Sequence, residues 1–191
     1  MSKVRVLGFA GSTREGSYNK VLTKAALAAA GAAGAETTFI DLRDLAMPMF
    51  DEDVEAKGGL PAGAKALKEA MRAHDAFIIS SPEYNGSVSA VLKNAIDWAS
   101  RPEPGQAPLS CFTNKVVGLF ATSPGALGGL RGLVHIRQIL SNINCLVLPQ
   151  QFALGKGHEA FDGLKLKDAK QQEMVDSIAK LVVTTASKLK A

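Results

Sequence analysis

The run Ala76-Phe77-Ile78-Ile79-Ser80-Ser81 carries no charge and shows no apolar–polar alternation. A strand of this kind is covered on both faces, which calls for a parallel sheet with helices above and below. Parallel neighbours are joined by right-handed strand–helix–strand crossovers, so this one segment constrains the chain on either side of it. The flanking sequence meets that demand. Short apolar runs predict strands at about Lys3–Ala10, Glu36–Leu42, Ala76–Ser81, Lys115–Ala121 and Cys145–Leu148. Helical spacing fills the gaps. An alanine-rich helix spans about Asn19–Ala33 and ends at Gly31 and Gly34, and a second runs from Pro61 to His74. A third runs from Ser87 to Ser100 with Trp98 in its core stripe; a fourth carries Leu133, Ile136, Leu140 and Ile143, and the last repeats Met174, Ile178, Leu181, Val182 and Leu189.

No linker or internal repeat divides the 191 residues, so the expectation is one α/β domain over residues 1–191. Five strands with this alternation give the sheet order 2-1-3-4-5, and ligands then bind outside the carboxyl ends of the strands, where the order reverses. Two segments stand apart. Arg43–Gly59 is expected to be irregular, with Asp51, Glu52, Asp53 and Glu55 coating a loop or, alternatively, serving a lid or subunit contact. The Lys165, Lys167 and Lys170 group is expected to be the solvated start of the last helix.

Three small-residue loops follow strands one, three and four, and would meet at that switch point. The first, Gly11-Ser12-Thr13-Arg14-Glu15-Gly16-Ser17-Tyr18-Asn19, offers backbone N–H groups, hydroxyls, a guanidinium and an amide at the start of a helix. Such a place suits a phosphate. An ordinary Gly- and Ser-rich turn would look the same in isolation. The loop is not a P-loop, since Ser17 and not lysine follows Gly16, and its glycines lack the dinucleotide spacing. The second, Pro82-Glu83-Tyr84-Asn85-Gly86, offers a flat ring, an amide and close backbone approach; the third, from Thr122 to Gly129, offers Ser123 and Gly125. A phosphate at one end and a flat polar ring at the other describe a mononucleotide, and flavin mononucleotide suits the switch point.

Composition narrows the function further. A net charge of +4 is spread over scattered lysines with no basic, aromatic-laced block, so nucleic acid is not expected. Cys111 and Cys145 form no redox or metal spacing, and His74, His135 and His158 lie far apart, so no metal is expected. No apolar run reaches the length of a membrane span, and no signal segment is evident at the start, which predicts a soluble cytoplasmic protein.

With Gly11–Asn19, Pro82-Glu83-Tyr84-Asn85-Gly86-Ser87, Thr122-Ser123-Pro124-Gly125 and Gly128-Gly129 in place, the chain resembles the NADPH-dependent FMN reductase family of the flavodoxin-like superfamily, over almost its whole length. The resemblance implies a flavodoxin-like three-layer sandwich that binds FMN. It implies that Ser12, Arg14, Ser17 and Asn19 hold the phosphate, with Tyr18 beside them. It further implies that Pro82, Glu83, Tyr84, Asn85 and Gly86 border the isoalloxazine and that Ser123 and Gly125 complete the pocket. The activity implied is hydride transfer from NAD(P)H through FMN to a small-molecule acceptor such as a quinone, flavin, chromate, or azo or nitro compound, in ping-pong order. The assembly implied is a homodimer or homotetramer. No side-chain nucleophile or general base is expected, and Glu83 is expected to turn its carboxylate to solvent and use only its backbone. The alternatives are a flavodoxin-like electron carrier without its own NAD(P)H oxidation and, more remotely, a flavin-free nucleotide hydrolase, against which the missing P-loop lysine argues.

Overall fold

The computed structural model describes residues 2–190. Five long strands, β1 (Arg5–Ala10), β2 (Glu36–Ile40), β3 (Ala76–Ser80), β6 (Val116–Thr122) and β7 (Leu146–Leu154), form one parallel sheet in the order β2-β1-β3-β6-β7. This is the expected 2-1-3-4-5 order of a flavodoxin-like sheet, counted over the long strands. Every residue of β3 and of β6 is buried, as their uncharged sequences require. Alternate residues of the central strands feed two cores. Val6, Ile78 and Phe120 pack under α1 (Tyr18–Ala32) and α6 (Ala169–Lys190). On the other face, Leu7, Phe9, Phe77, Ile79 and Leu119 pack under α3 (Ala62–Ala73), α4 (Ala90–Ser100) and α5 (Leu130–Asn142). The alanines of α1 let it lie close on the sheet. Trp98 is fully buried.

Four local expectations are corrected. The 43–59 segment is not wholly irregular: α2 (Glu52–Gly58) forms within it, with the Asp51 carboxylate accepting from the Asp53 N–H at 2.8 Å. Its acidic first turn suits the positive end of the helix dipole. The segment is also pinned. Trp98 Nε1 and Asn94 Nδ2 donate to Pro48 O at 2.8 and 2.9 Å, Phe50 sets its ring edge against Trp98, and Arg101 Nε donates to both Glu55 oxygens. Two of the four acidic residues, Asp51 and Glu55, are thereby engaged within the fold.

Residues 87 and 88 are not helical. They form β5 (Ser87–Val88), which pairs antiparallel with β4 (Glu83–Tyr84) across Asn85-Gly86. The fifth strand does not stop at Leu148. It continues to Leu154 past an irregularity in which Leu148, Pro149 and Gln150 stand opposite Gly118. Proline is tolerated at such an edge bulge, and the Arg137 guanidinium donates to the Leu148 and Pro149 carbonyls there. Finally, Lys165 lies in a small hairpin, β8 (Phe161–Asp162) with β9 (Lys165–Leu166), ahead of α6.

Cys111 and Cys145 are buried and unpaired. Burial pushes both thiols up, Cys145 to about 12, so neither is a nucleophile at neutral pH.

Candidate functional site

Three loops leave the carboxyl ends of β1, β3 and β6 side by side, because those strands are neighbours in the sheet. The first runs from Gly11 to Ser17. Its Arg14 N–H donates to Ser12 Oγ at 3.3 Å, and the Arg14 guanidinium lies 5.1 Å from the centre of the Tyr18 ring. Ser17 caps α1 without a side-chain hydrogen bond to the helix, so its hydroxyl is left to face a ligand. The Lys20 and Val21 N–H groups donate to Ser17 O at 3.0 and 3.2 Å, which leaves the Tyr18 and Asn19 N–H groups at the open start of the helix. Nearby Lys20 is spent on Asp41 at 2.6 Å, which leaves Arg14 as the cation that faces this hollow among the described residues from the first loop.

Asn19 is engaged at both ends of its amide. Nδ2 donates to Thr122 O at 2.9 Å, and Oδ1 accepts from the Thr122 N–H at 3.0 Å. The first loop is thereby fastened to the end of β6. Asn19→Ala would leave a buried N–H and C=O of Thr122 without their partners, a loss of about 2 kcal/mol. The expected result is a lower urea midpoint at an unchanged slope, read from Trp98 fluorescence.

The second loop is tied down in two places. Ser89 Oγ donates to Gly11 O at 2.6 Å, linking it to the first loop. Asn85 and Gly86 both have positive φ, at 51° and 79°, the geometry of a tight two-residue hairpin turn. The Glu83 side chain does not face solvent, contrary to expectation. It is only 8% exposed. Oε2 accepts from the Arg131 and Gly132 backbone N–H groups at 3.0 and 3.1 Å, and Oε1 accepts from Arg131 Nε at 2.7 Å. Burial pushes the carboxyl up, but the guanidinium and the two amides outweigh it and hold Glu83 below the usual carboxylate range.

The expected residues surround two adjoining hollows of about 390 and 480 Å³. Ser12, Arg14, Ser17, Tyr18, Asn19, Pro82 and Tyr84 line the first; Asn85, Gly86 and Gly125 line the second; Glu83 and Ser123 belong to both. Sequence reasoning placed the Thr122–Gly129 loop at the site but gave no ligand contact to Thr122 and Pro124 at the first hollow or to Ala126, Leu127 and Gly129 at the second, and it missed His158 and Arg131 altogether. His158 follows the Gly155–Gly157 turn after β7, and that turn is a fourth small-residue loop at the same sheet edge. The first hollow combines a cation, hydroxyls and a helix start, which suits a phosphate. The second lies between the backbones of two loops, which suits a flat ring with polar edges. These donor sets fit FMN. Among the described residues, no cluster of three or more His, Cys, Asp or Glu is placed to hold a metal.

Comparison with known proteins gives the same direction. Residues 4–159 match the family described as NADPH-dependent FMN reductase. The chain is 37% identical over 175 residues to an NAD(P)H-dependent FMN reductase of Pseudomonas aeruginosa, covering 90% of this chain and 89% of that one. It is 35% identical over 153 residues to a quinone reductase of Escherichia coli, covering 80% and 78%. Among solved structures, a flavoenzyme NAD(P)H:(acceptor) oxidoreductase from Paracoccus denitrificans superimposes with a TM-score of 0.80 at 25% identity, over 97% of this chain and 98% of that one.

Proposed function

This chain belongs to the NADPH-dependent FMN reductase family, and from that premise we infer that it is an NAD(P)H-dependent oxidoreductase that uses FMN to reduce quinone-type acceptors. When bound, FMN supplies the redox chemistry, the passage of a hydride's electrons from NAD(P)H to the acceptor. The protein supplies placement. The observation that carries the proposal is the meeting of three separate segments around two joined hollows, one built for a phosphate and one for a flat ring. Ser12, Arg14, Ser17 and Tyr18 hold the phosphate, together with the first N–H groups of α1. Asn19 serves mainly by fastening that loop to Thr122. Pro82 to Gly86 border the ring, and Ser123 and Gly125 close the pocket. Glu83 is not placed to move a proton, since both of its oxygens are already engaged as acceptors.

Nicotinamide and acceptor would use the same open face of the ring in turn, a ping-pong order. The acceptor range extends to flavin, chromate, and azo or nitro compounds. The chain works as a homodimer or homotetramer, supported by the exposed apolar side chains Leu127 at the second hollow and Leu130 and Val134 in α5. A protein that draws on NAD(P)H fits the cytoplasm, and no helix among the described residues is long and apolar enough to cross a membrane.

Anaerobic mixing tests the function. FMN-loaded protein should lose its yellow colour rapidly with NADH or NADPH alone, and an added quinone should restore it. A flavin that bleaches only with a protein donor would make the chain an electron carrier instead.

A further inference from the structure

Glu83 lines both hollows, and its carboxylate binds the start of α5. Three donors converge on it: Arg131 Nε, and the backbone N–H groups of Arg131 and Gly132. The two amides belong to the first turn of α5, where a carboxylate is favoured by both hydrogen bonding and the helix dipole. Arg131 and Gly129 lie on the far wall of the ring-side hollow, while Asn85 and Gly86 form its near wall. Glu83 is therefore the bridge between the two walls, 48 residues apart in sequence.

Resting on the FMN reading above, we propose that Glu83 is a positioning residue for the ring: its carboxylate sets the spacing between the second loop and the start of α5, and with it the seat of the isoalloxazine. A glutamine at this place keeps the length and one acceptor oxygen. Its NH₂ group, however, must face donors, and nothing there accepts from it. The hairpin then shifts relative to α5, and the ring-side walls lose their spacing. The phosphate side is disturbed less, because the first loop is fastened separately to the end of β6 through Asn19.

The test titrates FMN and riboflavin into wild-type protein and Glu83→Gln by flavin fluorescence, and records the visible circular dichroism of the bound flavin at saturation. Riboflavin has no phosphate and reports the ring end alone. The expected result is a loss of about tenfold for both flavins alike, with an altered visible dichroism. A general loss of stability would lower the melting temperature of the apoprotein but leave the dichroism of the bound flavin at its wild-type shape, and that outcome overturns the role. Binding of both flavins within twofold of wild type overturns it as well. Should Glu83→Gln fail to fold, Arg131→Gln carries the test, since this side chain is 66% exposed. It should change the dichroism in the same sense with a smaller loss of affinity, and an unchanged spectrum there refutes the proposal. Wild-type protein that binds neither flavin defeats the cofactor reading itself, and the positioning role with it; wild-type binding with unaffected variants defeats the role alone.

Discussion

Replacing Arg14 with alanine is expected to weaken FMN binding by about a hundredfold and to leave riboflavin binding unchanged. The magnitude follows from the kind of contact. A hydrogen bond to a charged group contributes about 1.5–3 kcal/mol, and a planar guanidinium can engage two phosphate oxygens at once. The neighbouring cation is not available as a substitute, since Lys20 is buried against Asp41. Removing Arg14 should cost the fold little. Its guanidinium is exposed and rests on the Tyr18 ring, a contact of about 0.5–1 kcal/mol at an open site. Arg14→Lys should recover only part of the affinity, because an ammonium is a point charge without the planar fork. Fluorescence titration with both flavins reads all of this. If Arg14→Ala binds FMN as wild type does, the phosphate lies elsewhere.

The charge at the two ends of the pocket is arranged differently, and this bears on how the mutants differ. At the phosphate end a cation is left open to the ligand. At the ring end the cation, Arg131, is already matched by Glu83. The first end should therefore show strong sensitivity to charge and to added salt, and the second to shape.

Much of this was legible in the sequence, and the reason is local. Uncharged runs such as Ala76–Ser81 can only be covered on both faces, and that fixes a parallel sheet with helices on either side. The order of the sheet then brings the three small-residue loops together without any knowledge of their contacts. What could not be read was carried by partners far apart in the chain. Asn19 meets Thr122 across 103 positions and Glu83 meets Arg131 across 48, so nothing near either residue discloses where its side chain turns. The sequence reads as a strand ending before Pro149; the carbonyls there are met by Arg137, only 11 and 12 positions back but on another element, α5. The Asn85-Gly86 turn is different. Asn-Gly is a strong local hairpin signal, and the apolar helical spacing from Val88 onward masked it.

The third loop gives the other large effect. Gly128→Ala is expected to destabilise the protein by roughly 3 kcal/mol, combining a left-handed backbone and an overpacked contact. Gly128 has φ +61°, and a Cβ there would sit 2.5 Å from Leu154 C and 2.7 Å from Leu154 N and Gly155 N. All three atoms are backbone at the end of β7, so no side chain can swing aside. The third loop would have to lift off the fifth strand, and with it Ser123, Gly125 and the start of α5. For a domain of this size the thermal midpoint should fall by about 6–12 °C, and the ring-side hollow should bind flavin poorly even where the protein remains folded. Gly125→Ala is the matched control in the same loop. A Cβ at Gly125 would find nothing nearer than Ser123 Oγ at 3.7 Å, and its φ is not in the left-handed region, so its stability should stay within about 0.5 kcal/mol of wild type. Thermal melts of the two apoproteins decide the matter. Equal midpoints would mean that the third loop is not clamped against β7, and the wall that Glu83 is proposed to space would then have no fixed position.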